Sequence, residues 1–350
     1  MQTFYIIFSS LILLSVIIPY FKNSHWTIRV FDYPRLQKFT LLTLACILFI
    51  FIEKNNFTIM LFASLLVSAI YLLWVIIPYT VIGKKMIDEV KLRPDEKPLD
   101  IMVYNVLQYN EEHQKLVDLL KKRNPDIVFL LETNKKWMES IKEATDEYQY
   151  KIEVPLENTY GLLFYSKLPV KHKEINYLIS DEIPSIVADI EYNKQTLRMY
   201  GLHPTPPVPQ ENEESTERDA EILLIGKKAK EYQKASIVFG DLNDVAWSRT
   251  TRLFLKTSKM LDPRRGRGMF STFHANYWFL RWPLDHFFLS SQFRLVEMIR
   301  EPHIGSDHYP ISIKVVLRSD DISGEFELNQ EEKIEVEEKI EEGVKKGNAN

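Results

Sequence analysis

Apolar residues are concentrated unevenly along this chain. Three long apolar runs stand near its start: Thr3 to Tyr20 without a charge, Phe39 to Ile52, and Phe57 to Ile82. A bilayer core takes roughly 17–25 apolar residues per helix. The pattern therefore predicts a transmembrane region over residues 1–85, with helices at 3–20, 36–52 and 57–82. The second run needs Leu36 and Gln37 to gain length, with Lys38 snorkelling to the interface. The stretch Met1 to Tyr5 lacks the basic start of a cleaved signal. Lys22, Arg29, Arg35 and Lys38 lie between the first two helices, and Lys84, Lys85, Lys91 and Arg93 follow the third. The excess of cations there places the first loop and everything after Ile82 in the cytoplasm. The chain reads as a multi-pass protein of the cell membrane. If 36–52 does not span, the later part faces outward instead.

After a linker at 86–98 the pattern changes. Between residues 99 and 318, short apolar runs predict strands at Leu99–Leu107, Ile127–Leu131, Gly161–Tyr165, Ile186–Tyr192, Thr196–Gly201, Ile237–Phe239, Leu284–Ser290 and Pro310–Leu317. Helical spacing covers Glu111–Arg123 and Glu217–Tyr232. Many short strands with few helices between them predict an α/β fold built as a two-layer β-sandwich flanked by helices, and not a doubly wound sheet.

Composition adds one thing to this picture. From Asp320 to the end there are 11 acidic and 4 basic residues in a chain of net charge −4, so the remainder carries about +3. Residues 319–350 read as an acidic tail, either solvated and disordered or a charged helix over 331–346 with Ile334, Ile340 and Val344 as a thin stripe. Cys46, in the second apolar run, is the single cysteine, so no disulfide within the chain and no cysteine-based zinc site is available.

The candidate chemistry lies at strand ends. Asn105 closes one apolar run and Glu132 another, while His203 follows Met199–Leu202. Asp241 and Asn243 follow Ile237–Phe239, Asp285 opens the run before Leu289, and Ser306-Asp307-His308 precede the last strand. In an extended strand, residues two apart point to one side, so Asp241 and Asn243 converge on one spot. A carboxylate and a carboxamide there suit a metal-bound phosphate and an attacking water. The basic cluster Arg264-Arg265-Gly266-Arg267 is either a phosphate grip or a solvated loop. Its position between two of these strand ends favours Arg265 and Arg267, with Trp247, as substrate-binding residues. His25, His113 and His172 read as surface residues, and His274 reads as packing or substrate wall.

Taken in order, Val103-Tyr104-Asn105-Val106, Pro125 to Glu132, Tyr160 to Ser166, Leu202-His203-Pro204, Gly240-Asp241-Leu242-Asn243, Leu284-Asp285 and Ser306-Asp307-His308 resemble the signature blocks of the endonuclease/exonuclease/phosphatase superfamily. That superfamily includes deoxyribonuclease I, repair exonucleases, neutral sphingomyelinases and inositol polyphosphate phosphatases. The resemblance covers Pro98 to Arg318. The stretch Asp241 to Ser248 is similar to a bacterial branch in which membrane helices precede the domain. It implies a DNase I-like four-layer α/β/β/α arrangement. It further implies Mg²⁺, replaceable by Mn²⁺, on Glu132 with Asn105 and Asp307, all hard oxygen donors. His308 and Asp285 would pair at the scissile phosphate, Asp241 would orient or deprotonate water, Asn243 would hold a phosphate oxygen, and His203 would donate to the phosphate.

The expected activity is hydrolysis of a phosphodiester, nuclease-like, by metal-assisted attack of water. A phosphatase, or a phospholipid or small-molecule phosphodiesterase of the same fold, is the alternative. A catalytically idle, membrane-tethered binding module is the rival of another class. The bilayer is a partner through the N-terminal helices. Nucleic acid is a candidate partner, although a body of about +3 with an acidic tail lacks a basic track. No protein partner can be inferred, and no apolar hairpin that would dip into a bilayer is evident.

Overall fold

The computed structural model describes residues 1–318 and 327–348. Its strands are Leu99–Asn105 (β1), Ile127–Leu131 (β2), Tyr150–Val154 (β3), Leu162–Ser166 (β4), Val170–Asn176 (β5), Ser185–Tyr192 (β6), Gln195–Leu202 (β7), Ser236–Asp241 (β8), Asp285–Leu289 (β9), Phe293–Arg300 (β10) and Ile311–Leu317 (β11). They form a six-stranded sheet of order β10-β11-β1-β2-β4-β3 and a five-stranded sheet of order β5-β6-β7-β8-β9. Each sheet holds one parallel pair, β1 with β2 and β7 with β8, and the other pairings are antiparallel.

The uninterrupted apolar runs exist because both faces of the central strands are covered. Ile101, Val103, Phe129 and Phe164 of the first sheet meet Ile186, Met199, Ile237, Phe239 and Phe287 of the second. Phe129 and Phe239 touch edge to face across the sandwich, ring centres 5.0 Å apart. On the outer face of the first sheet, Tyr104, Val128 and Leu163 pack on Leu116, Leu120 and Trp137. On the outer face of the second, Tyr200, Val238 and Phe288 pack on Ile222, Leu223 and Phe254. This is the four-layer sandwich expected from the sequence.

Three strands carried no such signal. β3 and β10 border the first sheet and β5 borders the second. Exposed edges carry charge that discourages pairing with other chains, and β5 reads Val-Lys-His-Lys-Glu-Ile-Asn with its interior fully exposed. The short helices Lys135–Ser140 and Arg249–Ser258 were likewise not marked by the pattern.

The N-terminal helices Gln2–Ile17, Arg35–Leu48 and Asn56–Ile76 pack on one another through Tyr5, Ile12, Leu42, Ala45, Leu65 and Leu72. Their outward residues, among them Leu11, Ile47 and Val67, are apolar and exposed. Gln2–Tyr20 and Asn56–Tyr79 are long and apolar enough to cross a membrane; Arg35–Phe51 qualifies only together with Trp26–Asp32, from which it is bent by 71°.

The loop after the first helix grips the soluble domain. The Trp26 amide donates to the Glu213 carbonyl (2.8 Å), the Ser215 amide to Ser24 (2.9 Å), and the Trp247 indole to Asp32 (2.9 Å). The end of the third long helix docks beside it, with the Tyr79 hydroxyl on the Ala246 carbonyl (2.6 Å) and the Gly266 amide on that of Pro78 (2.7 Å). The linker is also held: Ile87 is fully buried, and the Val90 amide reaches the Leu295 carbonyl (2.9 Å) on β10.

The tail differs from a solvated segment. Gln330–Gly347 is a helix lying on the helix Thr216–Tyr232, with Val336 and Ile340 inward and Ile334 outward. Gly343 permits the approach, since a Cβ there would stand 2.1 Å from that of Ala220. Its acids find partners on the domain, including Glu332 with Lys256 (2.7 Å) and Glu335 with Arg249 (2.6 Å). Residues 319–326 and 349–350 of the expected tail lie outside the described residues.

Placing a charge at Val336, which is buried against the domain, should release this helix. Val336→Asp is expected to cost its docking at least about 2 kcal/mol. Amides of 330–347 would then exchange with deuterium at least tenfold faster, while those of the sheets keep their protection.

Candidate active site

Topology brings the polar strand ends to one place. The parallel pairs β1/β2 and β7/β8 point their carboxyl ends the same way, where α/β sheets commonly bind ligands. Asn105 ends β1, Glu132 follows β2, His203 follows β7 and Asp241 ends β8. β9 and β11 run antiparallel to their neighbours, so Asp285 and His308, at or just before their starts, join the same end; Asp285 is the register partner of Asp241.

The side chains connect across the two sheets. The Asn105 amide nitrogen donates to Glu132 Oε1 (2.7 Å) in its own sheet and to Asp241 Oδ2 (3.0 Å) in the other. His308 Nδ1 lies 2.7 Å from Asp285 Oδ2, and its Nε2 lies 3.5 Å from Asp241 Oδ2. The Ser306 hydroxyl donates to the Asn105 carbonyl (2.8 Å) and accepts from the His308 amide (2.9 Å), fixing the Ser-Asp-His turn to β1. Thr272 holds the Asp285 amide through its hydroxyl (3.2 Å). The cluster is buried, with Asn105, Asp241, Asp285, His203 and His308 all enclosed.

Tight backbone geometry aims these groups. Gly240 sits at φ +134°, and a Cβ there would lie 2.0 Å from the Leu202 carbonyl oxygen, so only glycine fits before Asp241. Glu132 (φ +56°) and Asn243 (φ +50°) are left-handed, a conformation that costs a β-carbon residue roughly 1–2 kcal/mol.

The turn at Asn243 departs from the extended Asp-x-Asn expected from strand alternation. β8 stops at Asp241, the Asn243 amide folds back onto Asp241 Oδ1 (2.9 Å), and the Asn243 side chain donates to the Pro204 carbonyl (2.9 Å). The Asn243 carbonyl in turn receives Arg218 Nη1 (2.7 Å) and the Tyr33 hydroxyl (3.0 Å). Arg218 lies 25 residues away on a helix, and Tyr33 lies in the loop between apolar helices. Nothing in the local sequence marks either as a support for this turn.

Burial and neighbouring charge set the protonation states. Burial would push the His308 imidazole down, but the Asp285 and Asp241 carboxylates outweigh it and lift it to about 10, so it is a cation at neutral pH. Burial raises Asp285, with His308 opposing. Glu132 is pushed up to about 7 by burial, with Asp307 and Asp241 adding to the rise and Asn105 and His308 opposing it. Burial holds His203 down at about 4, and its Nδ1 has no hydrogen-bond partner among the described residues. Its ring packs against Tyr160, centres 5.4 Å apart.

The sequence profile of the Endonuclease/Exonuclease/phosphatase family matches residues 102–308, more than half of the chain and the whole of the cluster above. The chain belongs to the endonuclease/exonuclease/phosphatase family. A search of curated proteins returned no match. Among solved structures, a humanised D. rerio TDP2 superposes with a TM-score of 0.52 at 16% identity, covering 63% of this chain and 99% of that one. A Bacteroides thetaiotaomicron family protein gives 0.51 at 16% identity, over 64% of this chain and 100% of that one. The mannosyl-6-phosphatase of the same organism gives 0.50 at 17% identity, over 63% and 100%. At these identities the likeness is one of fold.

The family's enzymes act on phosphate esters with a divalent metal, and the residues here fit one. Glu132 and Asp307 offer hard oxygen donors; Asn105, expected beside them as a ligand, instead turns its amide nitrogen to Glu132 and gives its oxygen to the Leu107 amide (3.1 Å). The carboxyl groups of Glu132, Asp241, Asp285 and Asp307 surround the single His308 ring, and Glu132 is raised first by burial and then by Asp307 and Asp241. Asp241, Asp285 and His308 also lie close enough together to hold an ion. There, however, the protonated His308 already stands between the two carboxylates, so that trio reads as a proton-handling chain.

Three expected substrate residues are not brought to this cluster. Trp247 is buried, with its indole on Asp32 and its ring against Tyr79 (5.8 Å). Arg265 lies over the Tyr79 ring (5.8 Å). Arg267 donates to the carbonyls of Pro263 (3.0 Å) and Ile87 (2.6 Å) and pairs with Glu89 (3.6 Å). The basic loop is thus a clasp for the linker and the end of the third apolar helix. His286, beside the motif, is structural: it bridges Arg264 (2.6 Å) and the Asp244 carbonyl (2.8 Å).

His308 gives a signed prediction. Below about pH 6.5 its imidazole is protonated folded or unfolded, and its ion pairs contribute in full; the contribution is lost as pH rises through about 10. The stability difference between wild type and His308→Gln, from denaturant unfolding, should therefore be largest near pH 6 and shrink towards pH 10. A difference that grows with pH would overturn the assignment of a protonated His308.

Proposed function

We propose that this protein is a membrane-anchored, Mg²⁺-dependent phosphodiesterase that hydrolyses its substrate by attack of water. The observation that carries the reading is the buried His308 ring between Asp285 and Asp241, next to the Glu132 carboxyl that Asn105 holds. Glu132 and Asp307 would hold the metal, which would supply Lewis-acid polarisation of a phosphoryl oxygen, with Asn105 fixing the Glu132 carboxylate. Asp241, held by Asn105 and the Asn243 amide, is fixed to orient a water and take its proton. His308, held by Asp285, supplies charge and hydrogen bonding to the phosphate as negative charge builds. The unpartnered, neutral His203 and the second amide hydrogen of Asn243 offer further donors.

A diester substrate draws support from the fold neighbour D. rerio TDP2, solved with a single-strand DNA product at 18% identity and a TM-score of 0.51. A monoester draws support from the mannosyl-6-phosphatase. A long nucleic-acid track has no support from Arg265 and Arg267, which face the apolar helices and the linker.

Anchoring in the cell membrane, with the catalytic domain cytoplasmic, fits the docking pattern. The loop after the first apolar helix and the end of the third bind the same domain, so they lie on one side of the bilayer. The chain between them must then cross an even number of times. That favours Arg35–Phe51 spanning along with Asn56–Tyr79, and the cations around both connections favour the inward side for the domain.

The test uses the full chain in detergent with Mg²⁺ or EDTA, on bis(p-nitrophenyl) phosphate, p-nitrophenyl phosphate, single-stranded DNA and plasmid. Diester hydrolysis should vanish with EDTA and fall at least about 100-fold in Glu132→Gln and Asp241→Asn. Preference for the monoester would make it a phosphatase. Equal, negligible rates for wild type and variants on all substrates would leave the idle binding module.

A further inference from the structure

Residues Thr272 to Trp282 fold as a hairpin-like finger that was not evident in the sequence. Thr272 and Phe273 donate to the Trp282 carbonyl (3.1 and 3.0 Å), and His274 donates to that of Leu280 (3.0 Å). Its tip, Tyr277-Trp278-Phe279, is 51%, 80% and 52% exposed, so three adjacent aromatic residues face outward together. Scattered exposed apolar residues are ordinary, but a contiguous aromatic tip marks a contact surface.

Both ends of this finger are tied to places that matter. At its base, Phe273 packs on the His308 ring (centres 5.0 Å apart), and the Ala275 amide donates to the Asp307 carbonyl (2.6 Å). At its tip, the Phe279 carbonyl accepts from Gln37 (2.7 Å), which lies in the first turn of the helix Arg35–Leu48. Trp282 meets Tyr33 edge to face, centres 5.6 Å apart, at the start of the same helix. Leu36, next to Gln37, is exposed as a lipid-facing residue would be.

From Ala275 to Phe279 is four residues, which span at most about 14 Å. This short stretch thus joins the backbone beside the catalytic cluster to the first turn of the second apolar helix. Trp and Tyr favour the headgroup layer, where an apolar ring and a polar edge are both accommodated. Beside the base, Arg281 and Arg300 lie over the Tyr309 ring (5.1 and 4.5 Å), on the residue that follows His308 in the chain.

We infer that the Tyr277–Phe279 tip inserts into the headgroup layer of the protein's own membrane, and that the site takes a phosphate ester carried on a membrane lipid. The substrate class rests on the phosphoesterase reading; the membrane contact does not. A lipid in the same leaflet reaches the cluster along the finger, and a soluble diester reaches it without using the tip.

The experiment uses the full chain in mixed phosphatidylethanolamine–phosphatidylglycerol vesicles. The emission of Trp278, taken as wild type minus Trp278→Phe, should be quenched at least twofold by phospholipids brominated high on the acyl chain. No quenching overturns the membrane contact. With Mg²⁺, wild type should release headgroup products from the vesicles. Trp278→Ser/Phe279→Ser should do so at least tenfold more slowly, with unchanged kcat/KM on bis(p-nitrophenyl) phosphate. Hydrolysis of the soluble diester with no release from lipid overturns the lipid substrate and leaves the phosphoesterase standing. A variant slowed equally on both substrates overturns the tip's role in presenting lipid. No hydrolysis of either substrate overturns the phosphoesterase reading and the lipid substrate with it, while the quenching still decides the contact.

Discussion

The Asn105 carboxamide, donating to Glu132 on one sheet and Asp241 on the other, is the interaction around which this molecule is organised. Two sheets packed through Phe129 and Phe239 could slide past one another by small amounts at little cost in apolar burial. A buried amide cannot: its two hydrogens need acceptors at fixed positions, and leaving one unmet costs about 1–3 kcal/mol. The bond therefore sets the register of the sandwich at the end where the parallel pairs point. The same residue holds the Ser-Asp-His turn through its backbone, with Ser306 on the Asn105 carbonyl and the His308 amide on Ser306.

That arrangement concentrates negative charge in a place poor in water. Four carboxylates against one imidazolium is an unstable balance in a low-dielectric pocket. Burial first and then the neighbouring carboxylates raise Glu132, and the carboxylates of Asp285 and Asp241 hold the proton on His308. A site of this kind is poised for a divalent cation and an anionic ester at once, which is the chemistry the family is built on. Strain points the same way, since the left-handed Glu132 and Asn243 and the glycine-only position before Asp241 lie within the same strand ends.

The apolar helices are part of the site's support. Tyr33 and Arg218 converge on the Asn243 carbonyl, so a loop between two apolar helices steadies the turn that follows Asp241. The buried Trp247 holds the same loop at Asp32, and Gly266 holds the end of the third apolar helix at Pro78. Side chains that might have gripped substrate are thus engaged in fixing how the domain sits on its helices. The finger that leaves the cluster runs towards those helices and ends against them at Gln37.

The amino-acid sequence determined what depends on neighbours along the chain. The apolar N-terminal helices, the central strands and the polar residues at their ends were all legible, because apolar length, run and interruption are local properties. Asn105, Glu132, His203, Asp241, Asp285 and His308 stood out for that reason. Edge strands were not legible, since β5 is selected for charge on its exposed side and carries no core pattern. Only the tertiary structure decided where Arg267 and Trp247 point, because a cation or an indole suits a phosphate, a carbonyl or a ring equally until a partner is placed beside it. The same holds for the acidic helix, whose Val336, Ile340 and Gly343 gained meaning only when Ala220 lay opposite. Contacts between distant residues, such as Gln37 with Phe279, leave no periodic trace, and folding alone brings them together.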